Sequence, residues 1–233
     1  MTTPCEVVIY SNNKEQATQI AKMFYKLTNK TFDITIATIK PLYSNSNLTI
    51  FHQQKEKLLE FVGSEHFEIK KNKIFFHNQF TKIDLGGIVK EYAVDQAIQI
   101  LKKRKITSGL INFGGDIYAL GKKPNGEKFN IGIKDPLNKT HNVTTIELEN
   151  MALTTSANYE RNYQIEDQNF SHIINPHNYT SDILSATVIS PSTLLSGIYS
   201  TSLICNDAIS SKYQTIKINK NKEILYENFD SRR

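Results

Sequence analysis

A single α+β domain, with antiparallel sheets packed against helices, is the fold class this sequence predicts. Three observations predict it: short apolar segments that alternate at strand spacing, amphipathic stretches at helical spacing, and no Pro-, Gly- or Ser-rich linker to divide residues 1–233. With 39% hydrophobic and 22% charged residues, 10 glycines and 6 prolines, the chain can bury a sizeable core, which excludes the disordered, collagen-like and coiled-coil classes.

The first alternating segment, residues 6–10, reads as a strand. Lys14–Leu27 then carries Ala17, Ile20, Ala21 and Phe24 on one helical face. A polar stretch at 44–47 precedes a second helical pattern through Leu58, Leu59 and Phe61, and residues 67–71 and 73–77 alternate as two strands joined at Lys71-Asn72-Lys73. Asp84-Leu85-Gly86-Gly87 reads as a loop whose paired glycines permit unusual backbone angles. Residues 88–103 are the clearest helix, with Val89, Ala93, Ala97, Ile100 and Leu101 as the apolar face and Lys102, Lys103 and Arg104 at the end where the helix dipole favours cations. Residues 109–113, 117–121 and 129–133, separated by Gly114-Gly115-Asp116 and by Lys123-Pro124-Asn125-Gly126, read as a β-meander attached to that helix. Further strands are predicted at 143–148, 186–190 and 214–218, with a frayed polar end at 228–233.

The net charge of +5 raises the question of a nucleic-acid partner, but 24 of the 28 basic residues are lysine, scattered among Asp and Glu, so no nucleic-acid binding is expected. No apolar run reaches the roughly 18 to 20 residues of a membrane helix. The first residues lack the basic-then-apolar order of a signal peptide, so the expectation is a cytoplasmic chain without a membrane span, or a periplasmic one if a signal has been removed. Cys5 and Cys205, with no Cys-x-x-Cys spacing, indicate neither a disulfide framework nor a zinc site.

Four clusters, at 84–95, 112–116, 154–159 and 172–176, set small residues beside a carboxylate, hydroxyl or imidazole, the composition of a backbone-lined phosphate or metal pocket. Lys90 lies about one helical turn from the glycine loop, where its ammonium could meet an anion held by the helix N-terminal amides; the alternative is a surface lysine beside an ordinary turn. Gly114-Gly115-Asp116 allows close backbone approach to a flat or phosphorylated ligand, or is only a tight turn. His172 is placed as an acid, base or phosphate donor, or as a structural histidine. Thr201 offers a hydroxyl to a hard cation, or bonds its own helix backbone.

Taken in order, Met1-Thr2-Thr3-Pro4-Cys5-Glu6-Val7-Val8-Ile9, Phe32-Asp33-Ile34-Thr35, Asp84-Leu85-Gly86-Gly87-Ile88-Val89-Lys90-Glu91-Tyr92-Ala93-Val94-Asp95, Asn112-Phe113-Gly114-Gly115-Asp116, Thr155-Ser156-Ala157-Asn158-Tyr159-Glu160-Arg161 and His172-Ile173-Ile174-Asn175-Pro176 resemble the ApbE family of FAD:protein FMN transferases. The resemblance implies one ApbE-like domain that binds FAD and, with Mg2+, moves FMN onto a Ser or Thr hydroxyl of an acceptor protein, releasing AMP. By similarity, Lys90 and His172 take catalytic roles. Asp84, Gly86, Gly87, Lys90, Asn112, Gly114, Gly115, Asp116, Ser156 and His172 contribute to the nucleotide pocket. The Gly87 carbonyl and the Thr201 hydroxyl match metal-ligand positions, while Asp84 and Asp95 orient the loop and helix rather than react.

The chain also departs from the family pattern. Gly197, four positions before Thr201, stands where the family has a metal-binding Asp; Glu91 replaces the glycine after Lys90, Ala157 the glycine after Ser156, and His177-Asn178-Tyr179 a Thr-Gly turn. The segment before Phe32 is shortened, and Cys5 lacks the apolar run of a lipid-attachment site. Loss of the carboxylate predicts weak, FAD-dependent magnesium binding and slow transfer, unless Asp182 or Asp207 completes the site; the alternative is a flavin-nucleotide-binding or protein-interaction descendant with weakened catalysis.

Overall fold

The strand period of two decides how the layers of this chain stack. The structure, a computed structural model, describes residues 14–229 apart from 46, 72, 139, 178 and 180, and side chains from residue 19 onward. The predicted strand at 6–10, Cys5, Asn72 and the end at 230–233 lie outside the described residues. In the strand Asp116–Leu120, Ile117 and Ala119 join one apolar cluster while Tyr118 and Leu120 join another on the opposite face.

That strand, β4, belongs to a six-stranded antiparallel sheet with β3 (Gly109–Phe113), β7 (Met151–Ala157), β10 (Ile183–Ser190), β11 (Gln214–Asn219) and β12 (Ile224–Glu227), in the order β12-β11-β10-β7-β4-β3. The hairpin of β5 (Phe129–Lys134) and β6 (Asn142–Leu148) covers one face, laying Ile131, Ile133, Ile146 and Leu148 on Ile117, Leu153, Ile189 and Ile216. Helices α3 (Val89–Lys103) and α4 (Thr193–Cys205) cover the other. Val94 and Ile98 pack on Tyr118, Leu120 and Ala152, and Leu203 and Ile204 on Ala186 and Val188.

Two further clusters bring outer elements to the helix side. From α1 (Lys14–Leu27), Ala21 and Phe24 pack with Phe32, with Phe67 of the hairpin β1 (Phe67–Lys70) and β2 (Lys73–Phe76), and with Ile88 and Ile198. The helix α2 (Leu48–Leu59) is capped by the Asn47 side chain, which accepts the Ile50 N–H at 2.9 Å. Its Phe51 packs with Tyr43, Ile165 and Phe170, which seats the hairpin of β8 (Asn162–Ile165) and β9 (Gln168–Ser171). Among the described residues no helix is long and apolar enough to cross a membrane. Cys205 is buried, and burial pushes its thiol up to about 12.

Three sequence expectations are corrected. The predicted meander breaks after its second strand: β5 pairs with β6, and the inner neighbour of β4 is β7. β5 offers a single apolar face, which caps the sheet, whereas β7 buries both of its faces through Ala152, Leu153 and Thr154 and so takes the central place. On α3 the buried residues are Glu91, Ala93, Val94 and Ile98, while Ile100 is 53% exposed, because α4 as well as the sheet claims a side of the helix. Finally, Gly86 and Gly87 are not in the left-handed region; Gly114 (φ 65°) and Gly115 (φ 102°) are.

Gly121 shows where a left-handed glycine is also sterically required. It has φ +62°, and an added Cβ would lie 2.0 Å from the Thr107 carbonyl oxygen, whereas Gly126 (φ +84°) has nothing within 4 Å. Gly126→Ala is expected to lose only the left-handed penalty of about 1–2 kcal/mol, and Gly121→Ala a further ~1–3 kcal/mol from the forced backbone shift. Urea denaturation of the two variants measures the difference; equal losses would show that the strand end yields at no cost.

Candidate functional site

The site is built where α3 and α4 cross the sheet, and two contacts fix how the helices meet. The Asp95 carboxylate accepts the backbone N–H of Thr193 at 2.7 Å and of Leu194 at 3.1 Å, taking donors that the first turn of α4 cannot satisfy within the helix. One turn earlier on α3, Glu91 lies against Gly197, one turn later on α4. The helices are therefore antiparallel, so the start of α3 faces the second half of α4. Only glycine fits at 197 beside this glutamate: an added Cβ would lie 2.7 Å from Glu91 Cγ and 3.1 Å from Oε1.

The sequence-predicted loops lie on the same side. Asp84 accepts the Gly86 N–H at 2.7 Å through Oδ1 and pairs with Lys40 through Oδ2. The lack of a side chain at Gly86 makes room for that carboxylate, since a Cβ there would lie 2.9 Å from Oδ1. Burial works to raise the Asp84 carboxyl, but the bonds from Lys40 and Gly86 outweigh it and hold the group below its usual range. Asn112 Oδ1 accepts the Gly115 N–H at 2.9 Å, closing the turn between β3 and β4. At Gly114 and Gly115 an added Cβ would meet nothing within 4 Å, so this turn is an open, flat backbone surface.

Strand alternation puts Asp116, Thr154 and Ser156 on the helix side of the sheet, with Asp116 opposite Thr154 in register. Asp116 is 3% exposed and bonds the half-exposed Lys90, whose ammonium is lowered by burial but raised more by this carboxylate. Glu91, next to Lys90, is 5% exposed and its Oε2 has no hydrogen-bond partner. Burial first and the charge of Asp116 second push its carboxyl up to about 7. Ser156 Oγ lies 2.8 Å from Ser200 Oγ and 3.1 Å from Thr201 Oγ1, so Thr201 pairs across to the sheet, while Ser200 and Ser202 donate back to helix carbonyls.

His172 follows β9, with its Nδ1 3.0 Å from the Arg161 carbonyl oxygen. That acceptor requires the proton on Nδ1 and leaves Nε2 unprotonated in the neutral ring, and burial holds the imidazole below its ordinary value. The charges of Arg161 and Lys40 add to the lowering of His172, and that of Arg161 opposes the raising of Lys90. Lys40 carries no periodicity or spacing that singles it out, Arg161 closes the 155–161 motif without reading as a site residue, and Glu91 read only as a departure from a glycine; folding shows where all three stand. Asp182 pairs with Lys220 on the surface and Asp207 is exposed, so the carboxylate beside Gly197 is that of Glu91 and neither of these. Among the described residues no three His, Cys, Asp or Glu side chains gather to hold a metal ion.

A model of the ApbE family matches residues 6–220. The chain is 28% identical, over 236 residues, to the FAD:protein FMN transferase of Buchnera aphidicola subsp. Baizongia pistaciae, covering 93% of this chain and 69% of that protein. It is 28% identical over 134 residues to the FAD:protein FMN transferase of Klebsiella pneumoniae, covering 56% of this chain but 40% of that protein, less than two thirds of its length. In fold it is similar to the ApbE protein of Thermotoga maritima, with a TM-score of 0.82 at 23% identity over 96% of this chain and 78% of that one. It is likewise similar to the flavin transferase ApbE of Vibrio cholerae, with a TM-score of 0.78 at 20% identity over 93% of this chain and 74% of that one.

Because Asp95 ties α4 to α3, Asp95→Ala is expected to cost about 1–2 kcal/mol, the range for a lost helix cap. Amide hydrogen exchange should quicken first at Thr193 and Leu194. Unchanged protection there would mean that Ser192, which accepts the Leu195 N–H, holds the helix start without help.

Proposed function

Because the chain belongs to the ApbE family, we propose that it is an FAD:protein FMN transferase, which moves the FMN half of FAD to a Ser or Thr hydroxyl of an acceptor protein and releases AMP. The observation that carries this reading is Lys90, half-exposed and bonded to the buried Asp116 directly after the open Gly114–Gly115 turn. A fixed ammonium suits a pyrophosphate, and a turn without side chains suits a flat ring system. Asp116 fixes the Lys90 ammonium through one of its three donors and leaves the others for phosphate oxygens.

In the transfer, the acceptor hydroxyl oxygen attacks the phosphorus on the flavin side of FAD. Its proton passes to His172 Nε2, which the Nδ1 bond to Arg161 keeps free to accept it. The bond from that phosphorus to the bridging oxygen breaks, and the oxygen leaves on AMP. Lys90 and Arg161 stabilise the charge that develops on the phosphate oxygens. Magnesium, when bound, adds Lewis-acid charge at the pyrophosphate. Its protein ligands would be the Gly87 carbonyl and the Thr201 hydroxyl, and the residues fit a hard cation: hydroxyls gather at Ser156, Ser200 and Thr201, and Glu91 keeps a buried carboxylate oxygen without a partner.

Incubation with FAD, magnesium and an acceptor peptide from a known flavinylated protein should raise the peptide mass by one FMN residue. Lys90→Ala should weaken FAD binding by about 1.5–3 kcal/mol, followed by flavin fluorescence. The transfer rate should fall on the acid side as His172 protonates, with a midpoint below 6.5 because burial lowers that group, and His172→Ala should abolish this limb. An unlabelled peptide with FAD bound would leave a flavin-nucleotide-binding protein; no FAD binding at ~100 μM and above would remove the flavin role.

A further inference from the structure

We propose, building on the flavin-transfer reading above, that Glu91 is the carboxylate ligand of the divalent cation in this chain, supplied from α3 across the place that Gly197 leaves open on α4. The two positions form one steric unit. A glycine inside a helix costs about 1 kcal/mol relative to alanine, yet α4 has one at a fully packed position, and the volume its Cβ would take is filled by Glu91 Cγ at 2.7 Å and Cδ at 3.2 Å. Gly197 is thus the partner of a glutamate that needs its space.

Glu91 in turn has the surroundings of a cation ligand. It is 5% exposed and its Oε2 is buried without a hydrogen-bond partner, a costly state for a carboxylate that either a proton or a joining cation relieves. The adjacent ammonium of Lys90 is bonded to Asp116. The contacts of Asp95 on Thr193 and of Glu91 on Gly197 set the start of α3, with the Gly87 turn just before it, against the second half of α4, where Ser200 and Thr201 lie within hydrogen-bond distance of Ser156. One carboxylate with carbonyl and hydroxyl oxygens is a donor set for a small hard dication that also takes phosphate oxygens and water. An aspartate cannot share the site with Glu91, so adding one at Gly197 alone does not improve it.

The test is Mn2+ titration of the full chain, with and without FAD, read from the loss of the free Mn2+ electron paramagnetic resonance signal. Glu91→Gln keeps the shape and removes the charge; it is expected to weaken Mn2+ binding at least about tenfold, with thermal melting at or above the parent's. The double variant Glu91→Gly with Gly197→Asp, which moves the carboxylate to α4, should return the affinity to within about threefold of the parent, and Gly197→Asp alone should bind no more tightly than the parent. Parent-like Mn2+ affinity in Glu91→Gln, or no Mn2+ binding by the parent in either condition, overturns the assignment. If Glu91→Gln does not fold, the swap decides: restored binding supports Glu91 as the ligand, and lost binding overturns it. FMN transfer to the acceptor peptide is measured separately, so a parent that binds Mn2+ through Glu91 but transfers nothing refutes the transferase reading and leaves this one standing.

Discussion

The Asp95 carboxylate, donated by α3 to the unsatisfied amides at the start of α4, is the contact on which the arrangement of this molecule turns. Two helices that cover the same sheet face could slide along one another, since apolar packing alone has little direction. A pair of hydrogen bonds to successive amides fixes both level and direction. With that register set, Glu91 meets Gly197. Cap and steric pair are successive turns of one antiparallel contact.

The electrostatics of the site follow from which groups the layers bury. Asp116 is buried because the strand period places it under α3, and it is compensated by Lys90. Glu91 is buried because its helix also faces α4, and it lacks such a partner. Lys40 and Lys90 are half-exposed and Arg161 is exposed, while Asp116, the partner of Lys90, is buried. A buried carboxylate beneath a half-exposed ammonium holds that cation in place at the surface.

The hydroxyl residues of β7 and α4 serve packing as well as chemistry. Ser196, Ser200 and Ser202 let α4 lie close to its neighbours, and their hydroxyls are met by Ser190, Gly197 and Ile198. Thr201 and Ser156 bond one another instead, across from helix to sheet. Close helix packing and a cluster of hydroxyls thus come from the same small residues.

Much of the architecture was legible from local pattern alone. The α1, α2 and α3 helices, the β1–β2 hairpin, and β3, β4, β10 and β11 follow from apolar spacing, because burying one face imposes a period on neighbouring residues. The glycine and aspartate clusters could be read too, since a left-handed turn at Gly114–Gly115 and a loop held by Asp84 demand particular residue types. The strand β7 was hidden by its run of Thr and Ser, in which the Thr155 and Ser156 hydroxyls meet Thr187 and Ser200, both distant in the chain. Which strands became neighbours, and that β5 left the sheet to cover it, depended on competition among distant apolar faces. The meaning of Glu91 and Gly197 was likewise beyond the sequence taken alone. Each departs from a family pattern, and only the crossing of two helices 106 positions apart turns two departures into one exchange, because a side chain's volume and charge are answered by whatever folding sets against it.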